Sequence, residues 1–537
     1  MSLPDRNNPY SFDEFLNNLN SVDFYLDDPF LIKCVKRYCG DLLPKLHEKI
    51  VEFASKVSVR WRVLADRIAK PELRPYIEHY DAHNHRVDRI IRPAETTALE
   101  KEIFREGLFS SKMEKWESFI KRYLLQEIGE SSVMCPMVCT EGLIALIDEF
   151  PEDRHPDLSR ILEHCKEGID GDFGIGAQFM SEIQGGSDIP ANLLEAEPHE
   201  DYYQIYGNKF FCSAVHADYA VITAKVKGSE DVGTFIVPSW LPQKKSSEQR
   251  NGCRINRLKW KMGTSELPTA EIEYDGAVAY AIGAIDRGVA NAVGIVLTLS
   301  RITVALSSAA AMTRAVREAT IYSRFRKVFD KRICDWPLAA GQLDEIMQAA
   351  QRTTAGAFKV YDLFIRLGGK LQSGLSSNEP IEIQKLRFNL RELIILQKLV
   401  SAYEAVDVIR KAISIFGGHG VIEDFSSLPR LFRDATVNEL WEGPRNVLLI
   451  QVYRDLHRVS SWYSAEEFVG SVLEGAAQEN IESLSSSLKD FLQGPSFLEI
   501  KPGAIELATA WETFCSSLFR AYQELALNEV ASSSMPG

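Results

Sequence analysis

The spacing of apolar residues changes twice along this chain of 537 residues, and that change limits the folds it can adopt. Up to about residue 165, apolar side chains recur every three or four positions, which is typical of amphipathic helices. Between residues 172 and 286, short β-rich runs alternate with turn formers, which predicts a compact β-barrel or sandwich. Helical spacing then returns. The helices predicted from this spacing are Asp13–Leu19, Pro29–Ala54, Ala94–Leu108, 288–326, 338–367 and 380–416.

The predicted fold is therefore α+β, with a β-domain between two helical domains. The predicted parts are an N-terminal helical domain (1–165), a central β-domain (166–286), a helical bundle (287–460) and a C-terminal helical extension (461–537). No uninterrupted apolar run approaches the roughly 18 residues that span a bilayer, so we do not expect an integral membrane protein.

The nine cysteines are an odd number without paired CxxC spacing, which favours a reducing compartment. Cys135 and Cys139 share a helical face, but no second pair of metal ligands accompanies them, so we assign them to packing. Neither Met1–Pro9 nor Ser533–Gly537 resembles a targeting signal, and cytoplasmic localisation is the expectation.

A glycine-rich turn is followed by a lone carboxylate near residue 440. Phe416-Gly-Gly-His-Gly420 precedes Arg433-Asp-Ala, and Trp441-Glu-Gly-Pro-Arg-Asn446 comes next. Glycines at 417, 418 and 420 would let backbone N–H groups approach a phosphate, and Glu442 is a candidate general base. The alternative is a helix-capping turn with a surface glutamate.

A second motif lies upstream, at Gln178-Phe-Met-Ser-Glu-Ile-Gln-Gly-Gly-Ser-Asp188. The hydroxyls of Ser181 and Ser187 are placed to bind a flat heterocycle and a pyrophosphate, although an isolated turn of this kind is more often a surface loop. In the run that follows, Phe211 and Ser213 would share one strand face, which suits a flavin. Cys212 alternates away from them and is assigned to packing.

These motifs, in this order, resemble the acyl-CoA dehydrogenase superfamily from about residue 75 to 455. Lys259-Trp-Lys-Met-Gly-Thr264 and Arg326-Lys-Val-Phe329 add to the match, and His79-Tyr-Asp-Ala-His-Asn-His-Arg-Val-Asp88 is similar to the long branch that contains AidB. The resemblance implies a helical domain, a β-barrel or sandwich, a four-helix bundle and an extra helical segment. It also implies FAD, a fatty acyl-CoA, a homotetramer and an electron-transferring flavoprotein as redox partner.

Carried over residue by residue, the resemblance implies two catalytic residues. They are Glu442, the base that removes the α-proton, and Arg301, which lies near it. Ser300 occupies the position where some family members place their base, and a serine cannot serve. The implied FAD contacts are Phe179, Met180, Ser181, Gly186, Ser187, Phe211, Cys212, Ser213, Leu440, Trp441 and Asn446, with Arg326, Phe329, Gly417 and Gly418 facing the FAD of a neighbouring subunit.

Four residues depart from the family pattern: Pro444, Ser414, Asp330 and Phe211. Together they leave open a flavoprotein that binds acyl-CoA but oxidises it slowly, which is the first alternative to a dehydrogenase.

The second alternative is a DNA-associated protein, because AidB-like proteins carry a C-terminal region associated with DNA. Here residues 464–537 contain eleven acidic and three basic residues, and the whole chain has a net charge of −14. Phosphate binding needs basic side chains, so we do not expect DNA as a partner. A cluster of basic residues at Arg314, Arg317, Arg324, Arg326, Lys327, Lys331 and Arg332 is better interpreted as a nucleotide-phosphate site or a solvated helix face.

Overall fold

The computed structural model describes residues 10–151, 155–374 and 378–532, so the two terminal segments used for the targeting prediction lie outside it. Helices dominate the N-terminal part, as predicted, but the predicted helix Pro29–Ala54 is divided in two at residues 40–42. The helices before the barrel are α1 (Asp13–Asn20), α2 (Pro29–Cys39), α3 (Leu43–Ser55), α4 (Arg62–Ile68), α5 (Ala94–Phe104), α6 (Lys115–Gln126), α7 (Met134–Glu149) and α8 (Pro156–Lys166).

A β-hairpin interrupts this helical region, which the apolar spacing did not predict. Strands β1 (Tyr76–Tyr80) and β2 (Arg86–Ile91) pair antiparallel, with Glu78 opposite Arg89. Asn84 adopts a left-handed conformation in the connecting turn, which asparagine tolerates better than most residues. The hairpin contains the histidine-rich motif, and Asp88 accepts a hydrogen bond from the backbone N–H of Ile255 in the β-domain.

The central β-domain is a closed barrel, which confirms the predicted fold class. Strands β4, β5, β9, β7 and β6 pair in that order, and β6 pairs with β4 to close the ring. Strand β3 adds to β6, and β8 adds to β9. The bounds are β3 (Gly176–Phe179), β4 (Glu195–Pro198), β5 (Tyr203–Ser213), β6 (Tyr219–Val226), β7 (Val232–Pro238), β8 (Cys253–Leu258) and β9 (Thr269–Ala281).

The helices after the barrel form the second helical domain. Most of α10 is buried, and it packs against α11 and α12. The bounds are α9 (Gly288–Asn291), α10 (Thr298–Phe325), α11 (Pro337–Arg366), α12 (Ile381–Phe416), α13 (Leu428–Asn438) and α14 (Arg445–Val459), with a two-residue hairpin of β10 (Lys327–Val328) and β11 (Lys331–Arg332) after α10.

One segment of the described residues, Ile285–Phe325, is long and apolar enough by composition to cross a membrane, with a mean hydropathy of 1.8 in its most apolar stretch. Of that stretch, 72% is buried inside the protein. The burial arises because α10 is the central helix of the bundle and contacts apolar side chains on several sides.

The C-terminal extension packs against the bundle through α15 (Ala465–Val472), α16 (Gln478–Gln493) and α17 (Ala504–Ser532). The indole N–H of Trp511 donates to the carbonyl oxygen of Leu449, 3.0 Å away. Glu512 forms an ion pair with Arg445 at the start of α14. The acidic extension is therefore joined to the helix that follows Glu442.

Two members of the predicted basic cluster are not on the surface. Arg314 is buried and paired with Glu318 on its own helix, and Arg317 is paired with Glu127 and Asp28. A buried cation needs such partners because its desolvation is costly. The cluster is consequently not a continuous basic stripe along α10, since only its C-terminal members extend outward.

Candidate active site

Glu442 lies in a strained turn between α13 and α14. Its backbone has a φ of +59°, and Gly443 follows with a φ of +107°. A left-handed conformation costs a residue with a side chain about 1 kcal/mol, so the surroundings must maintain it. We refer to residues 439–443 as the Glu442 turn.

Two buried cations hold the carbonyl groups of the Glu442 turn. Arg301 Nε, from α10, donates to the backbone oxygen of Glu442 at 3.0 Å. Lys398 Nζ, from α12, donates to the backbone oxygens of Glu439 and Gly443 at 2.8 and 2.7 Å. Arg301 was predicted beside Glu442. The sequence analysis missed Lys398, although a lysine within the apolar run Ile394–Val400 was a visible signal.

The carboxyl group of Glu442 points toward the barrel. Gln178 Nε2, on β3, donates to Glu442 Oε1 at 2.7 Å. Burial raises the pKa of Glu442 to about 7, although Arg301, Lys398 and the Gln178 hydrogen bond each act to lower it. A carboxyl group that titrates near neutral pH suits a general base. Gln178 opened a predicted motif, but the sequence assigned it no role.

Ser300 also lies beside the side chain of Gln178. The Gln178 amide is 3.3 Å from Ser300 Oγ as well as bonded to Glu442. Ser300 on α10 and Glu442 in its turn are the two positions that relatives could use for the base. Both therefore contact the side-chain amide of Gln178. The carboxylate there comes from Glu442.

Strand β5, which contacts β3, presents an open surface of the barrel. The Phe211 side chain is 51% exposed, whereas Cys212 is buried in the barrel core, as its alternation predicted. Ser213 Oγ is 3.1 Å from the hydroxyl of Thr269. Phe211 and Ser213 thus present an aromatic ring and a hydroxyl on the side away from the core.

The Gly-Gly-Ser turn beyond β3 is closely packed on Ser181. A Cβ atom at Gly186 would lie 2.3 Å from Ser181 Oγ, so only glycine fits while that hydroxyl keeps its position. Behind the turn, Lys209 and Glu182 form a buried ion pair at 2.8 Å. This turn, in which Ser187 is exposed, offers hydroxyl groups and accessible backbone to a ligand.

The other residues predicted near the cofactor differ in their exposure. The side chains of Phe179 and Met180 are buried in two apolar cores, so only their backbone groups remain for a ligand. Trp441 is partly buried against the barrel core, and Leu440 and Asn446 are exposed.

A second group of predicted residues lies at the far end of α10. The Phe329 side chain is 89% exposed, and a Cβ atom at Gly417 or Gly418 would meet nothing within 4 Å. The guanidinium of Arg326 stacks on Tyr10 at 4.9 Å. Arg326 follows Arg301 by 25 residues on one helix, about 37 Å at 1.5 Å per residue, so the two groups are separate surfaces of the chain.

Three of the four departures from the family pattern lie at the ends or turns of helices and hairpins. Pro444 is the N-cap of α14, where its missing N–H leaves no helical hydrogen bond unmade. Asp330 has a φ of +63° in the turn between β10 and β11, a conformation that aspartate tolerates. Ser414 is exposed on the last turn of α12.

Cys135 and Cys139 are buried, with their sulfur atoms 3.9 Å apart. Within the described part of the chain, no group of three or more His, Cys, Asp or Glu residues could hold a metal ion.

Two models of known protein domains match this chain. Residues 177–277 match the middle domain of acyl-CoA dehydrogenase, and residues 286–457 match its C-terminal domain. The chain is 31% identical over 451 residues to acyl-CoA dehydrogenase family member 11 of Caenorhabditis elegans. The aligned region covers 80% of this chain and 70% of that protein. It is 27% identical over 480 residues to the putative acyl-CoA dehydrogenase AidB of Escherichia coli K12, covering 84% and 81%.

A solved structure of ACDH-11 from Caenorhabditis elegans, in complex with C11-CoA, superposes with a TM-score of 0.76. The two chains are 25% identical, and the match covers 94% of this chain and 90% of that one. The match therefore extends beyond the two regions that the family models cover. On this evidence the chain belongs to the acyl-CoA dehydrogenase family of FAD-binding flavoproteins, in its AidB-like branch.

Proposed function

We propose that this protein is an FAD-dependent acyl-CoA dehydrogenase in which Glu442 removes the α-proton of a fatty acyl-CoA. The observation that carries the proposal is the position of Glu442. Its carboxyl group has a pKa of about 7 and accepts a hydrogen bond from Gln178 on the barrel, while Arg301 and Lys398 bind the backbone oxygens of its turn.

Each residue around Glu442 has a defined part in the proposed reaction. Gln178 occupies Oε1, which leaves Oε2 to accept the proton as the Cα–H bond breaks. Burial disfavours the charged carboxylate and so strengthens it as a base, while Arg301 and Lys398 keep it ionised near neutral pH. When bound, FAD would accept the hydride that leaves Cβ, so that a double bond forms between Cα and Cβ.

Several chain residues are candidates for holding FAD. Ser181, Ser187 and Ser213 would supply hydroxyl groups, and Phe211 would cover one face of the ring. The cluster of Arg326, Phe329, Gly417 and Gly418 is too far along α10 to reach the same cofactor, which supports its assignment to the FAD of a neighbouring subunit. We therefore propose a homotetramer. We also propose an electron-transferring flavoprotein as the electron acceptor and the cytoplasm as the location.

The test is an anaerobic titration of the purified holoprotein with acyl-CoAs from short to very long chains, following the oxidised-flavin absorbance. Bleaching with one class of chain length is the expected result. Glu442→Gln is expected to bind the same acyl-CoA with a spectral shift and no bleaching. A shift without bleaching in the wild-type protein would instead indicate a protein that sequesters acyl-CoA. No response to any acyl-CoA would refute the proposal.

A further inference from the structure

Lys398 is an unusual residue for the interior of a helical bundle. Its side chain is 1% exposed, and its neighbours Leu396, Leu399 and Val400 are buried apolar residues. Taking an ammonium group out of water is costly unless other groups replace the water. Its hydrogen bonds are to two backbone carbonyl groups, so packing alone does not explain its presence.

The two carbonyl groups that Lys398 binds lie on either side of Glu442. Glu439 is the C-cap of α13, and Gly443 precedes the first turn of α14. Arg301 binds the carbonyl group of Glu442 between them. The Glu442 turn is thus attached to α12 at both ends and to α10 in the middle, and these bonds support the left-handed conformations at positions 442 and 443.

We propose that Lys398 is a positioning residue, which holds the Glu442 turn in the conformation that aims the carboxylate at the substrate. This inference rests on the proposed function, because it concerns the residue assigned there as the base. It adds a residue that the family motifs in this sequence did not indicate.

The charges around Glu442 set the direction of the expected effect. Arg301 on α10 and Lys398 on α12 act to lower the pKa of Glu442, and Glu442 in turn acts to raise the pKa of Cys135 on α7. Burial and Arg301 lower the pKa of Lys398 to about 7, while Glu442 and Glu439 act to raise it. Arg445, at the start of α14, also repels Lys398. Loss of the Lys398 charge should therefore raise the pKa of Glu442.

The experiment compares Lys398→Met with Lys411→Met as a matched control. Lys411 is on the same helix, but it pairs with Glu345 and Asp407, away from the Glu442 turn. The first readout is an infrared titration of the holoprotein, in which the carboxyl band of Glu442 is identified by its loss in Glu442→Gln. The second readout is the pH profile of flavin reduction by an acyl-CoA.

For Lys398→Met we expect the Glu442 titration and the acid limb of the profile to move up by about one pH unit. Misplacement of the carboxylate should also slow reduction at pH 7 by at least about tenfold. Lys398→Arg, which keeps the charge, should leave the titration near its wild-type position. Lys411→Met should match the wild type in both readouts.

An unchanged titration and an unchanged rate in Lys398→Met would overturn the proposal. The infrared titration requires no acyl-CoA, so it still tests Lys398 if no acyl-CoA bleaches the flavin and the proposed function fails. If Lys398→Met does not fold, as judged by circular dichroism, Lys398→Gln replaces it. That variant retains a donor without the charge, and the same upward movement of the titration is expected.

Discussion

Replacing Glu442 with glutamine should make the protein more stable at pH 8 while removing its activity. A carboxyl group whose pKa is raised by folding holds its proton more tightly in the folded state than in the unfolded state. The folded wild-type protein therefore loses stability as the pH rises from about 4.5 to about 7, because ionisation of Glu442 is then opposed by its surroundings. The amide of Glu442→Gln resembles the protonated carboxyl group and carries no such penalty.

The size of the effect follows from the pKa of Glu442. It rises from 4.5 to about 7, and at about 1.4 kcal/mol for each pH unit the difference amounts to about 3 kcal/mol. Integrated over pH, the variant should gain less than about 1 kcal/mol at pH 5 and about 3 kcal/mol at pH 8. The gain should therefore depend on pH, which a general improvement in packing would not.

The assay is urea denaturation of the holoprotein and the variant at pH 5 and pH 8, followed by circular dichroism. Glu506→Gln, at an exposed position of α17, is the control and should show no pH-dependent gain. Anaerobic flavin reduction is measured on the same preparations. An equal stability difference at both pH values, or full flavin reduction by Glu442→Gln, would refute the reasoning.

Three further outcomes are expected. Gln178→Leu removes a donor that lowers the pKa of Glu442, so the acid limb of flavin reduction should move up by about one pH unit in stopped-flow measurements. Gly186→Ala should weaken FAD binding about tenfold in an apoprotein titration, since the added methyl group would displace the Ser181 hydroxyl; unchanged affinity would count against this turn as a cofactor site. Because residues 464–537 carry a net charge of −8, fluorescence anisotropy should detect no salt-sensitive binding to duplex DNA, and binding that weakens with added salt would contradict this.

The order of helical and β regions was predictable from sequence because each part has a sustained apolar period. Helices α11 and α12 lie within one residue of their predicted ends. The predicted helix 288–326 ends within one residue of α10, but its first ten residues form α9 and a π-helical segment, and α10 itself begins at Thr298. The hairpin of β1 and β2 was missed because it is short and half exposed, so its two strands have no clear alternation of apolar residues. The predicted domain limits remain predictions.

The candidate site was predictable where one residue type has a special chemical role. Glu442 and Arg301 were identified from motifs and lie together, as expected. The roles of Gln178 and Lys398 depend on contacts between β3, α12 and the Glu442 turn, which are far apart in sequence. Arg314 was misplaced for the same reason, since the contacts that bury it come from distant segments: its Nη1 donates to the carbonyl oxygen of Glu127, and its guanidinium lies over the ring of Phe24.

The contacts of Trp511 and Glu512 with α14 affect how variants of this protein should be classified. Trp511 lies outside both regions that match the family models. From its sequence position alone, a substitution there would be expected to affect only folding. Its indole nevertheless binds the helix that starts directly after the Glu442 turn. Variants in residues 504–532 should therefore be assayed for catalysis as well as for expression, because the last helix contacts the helix that follows the proposed base.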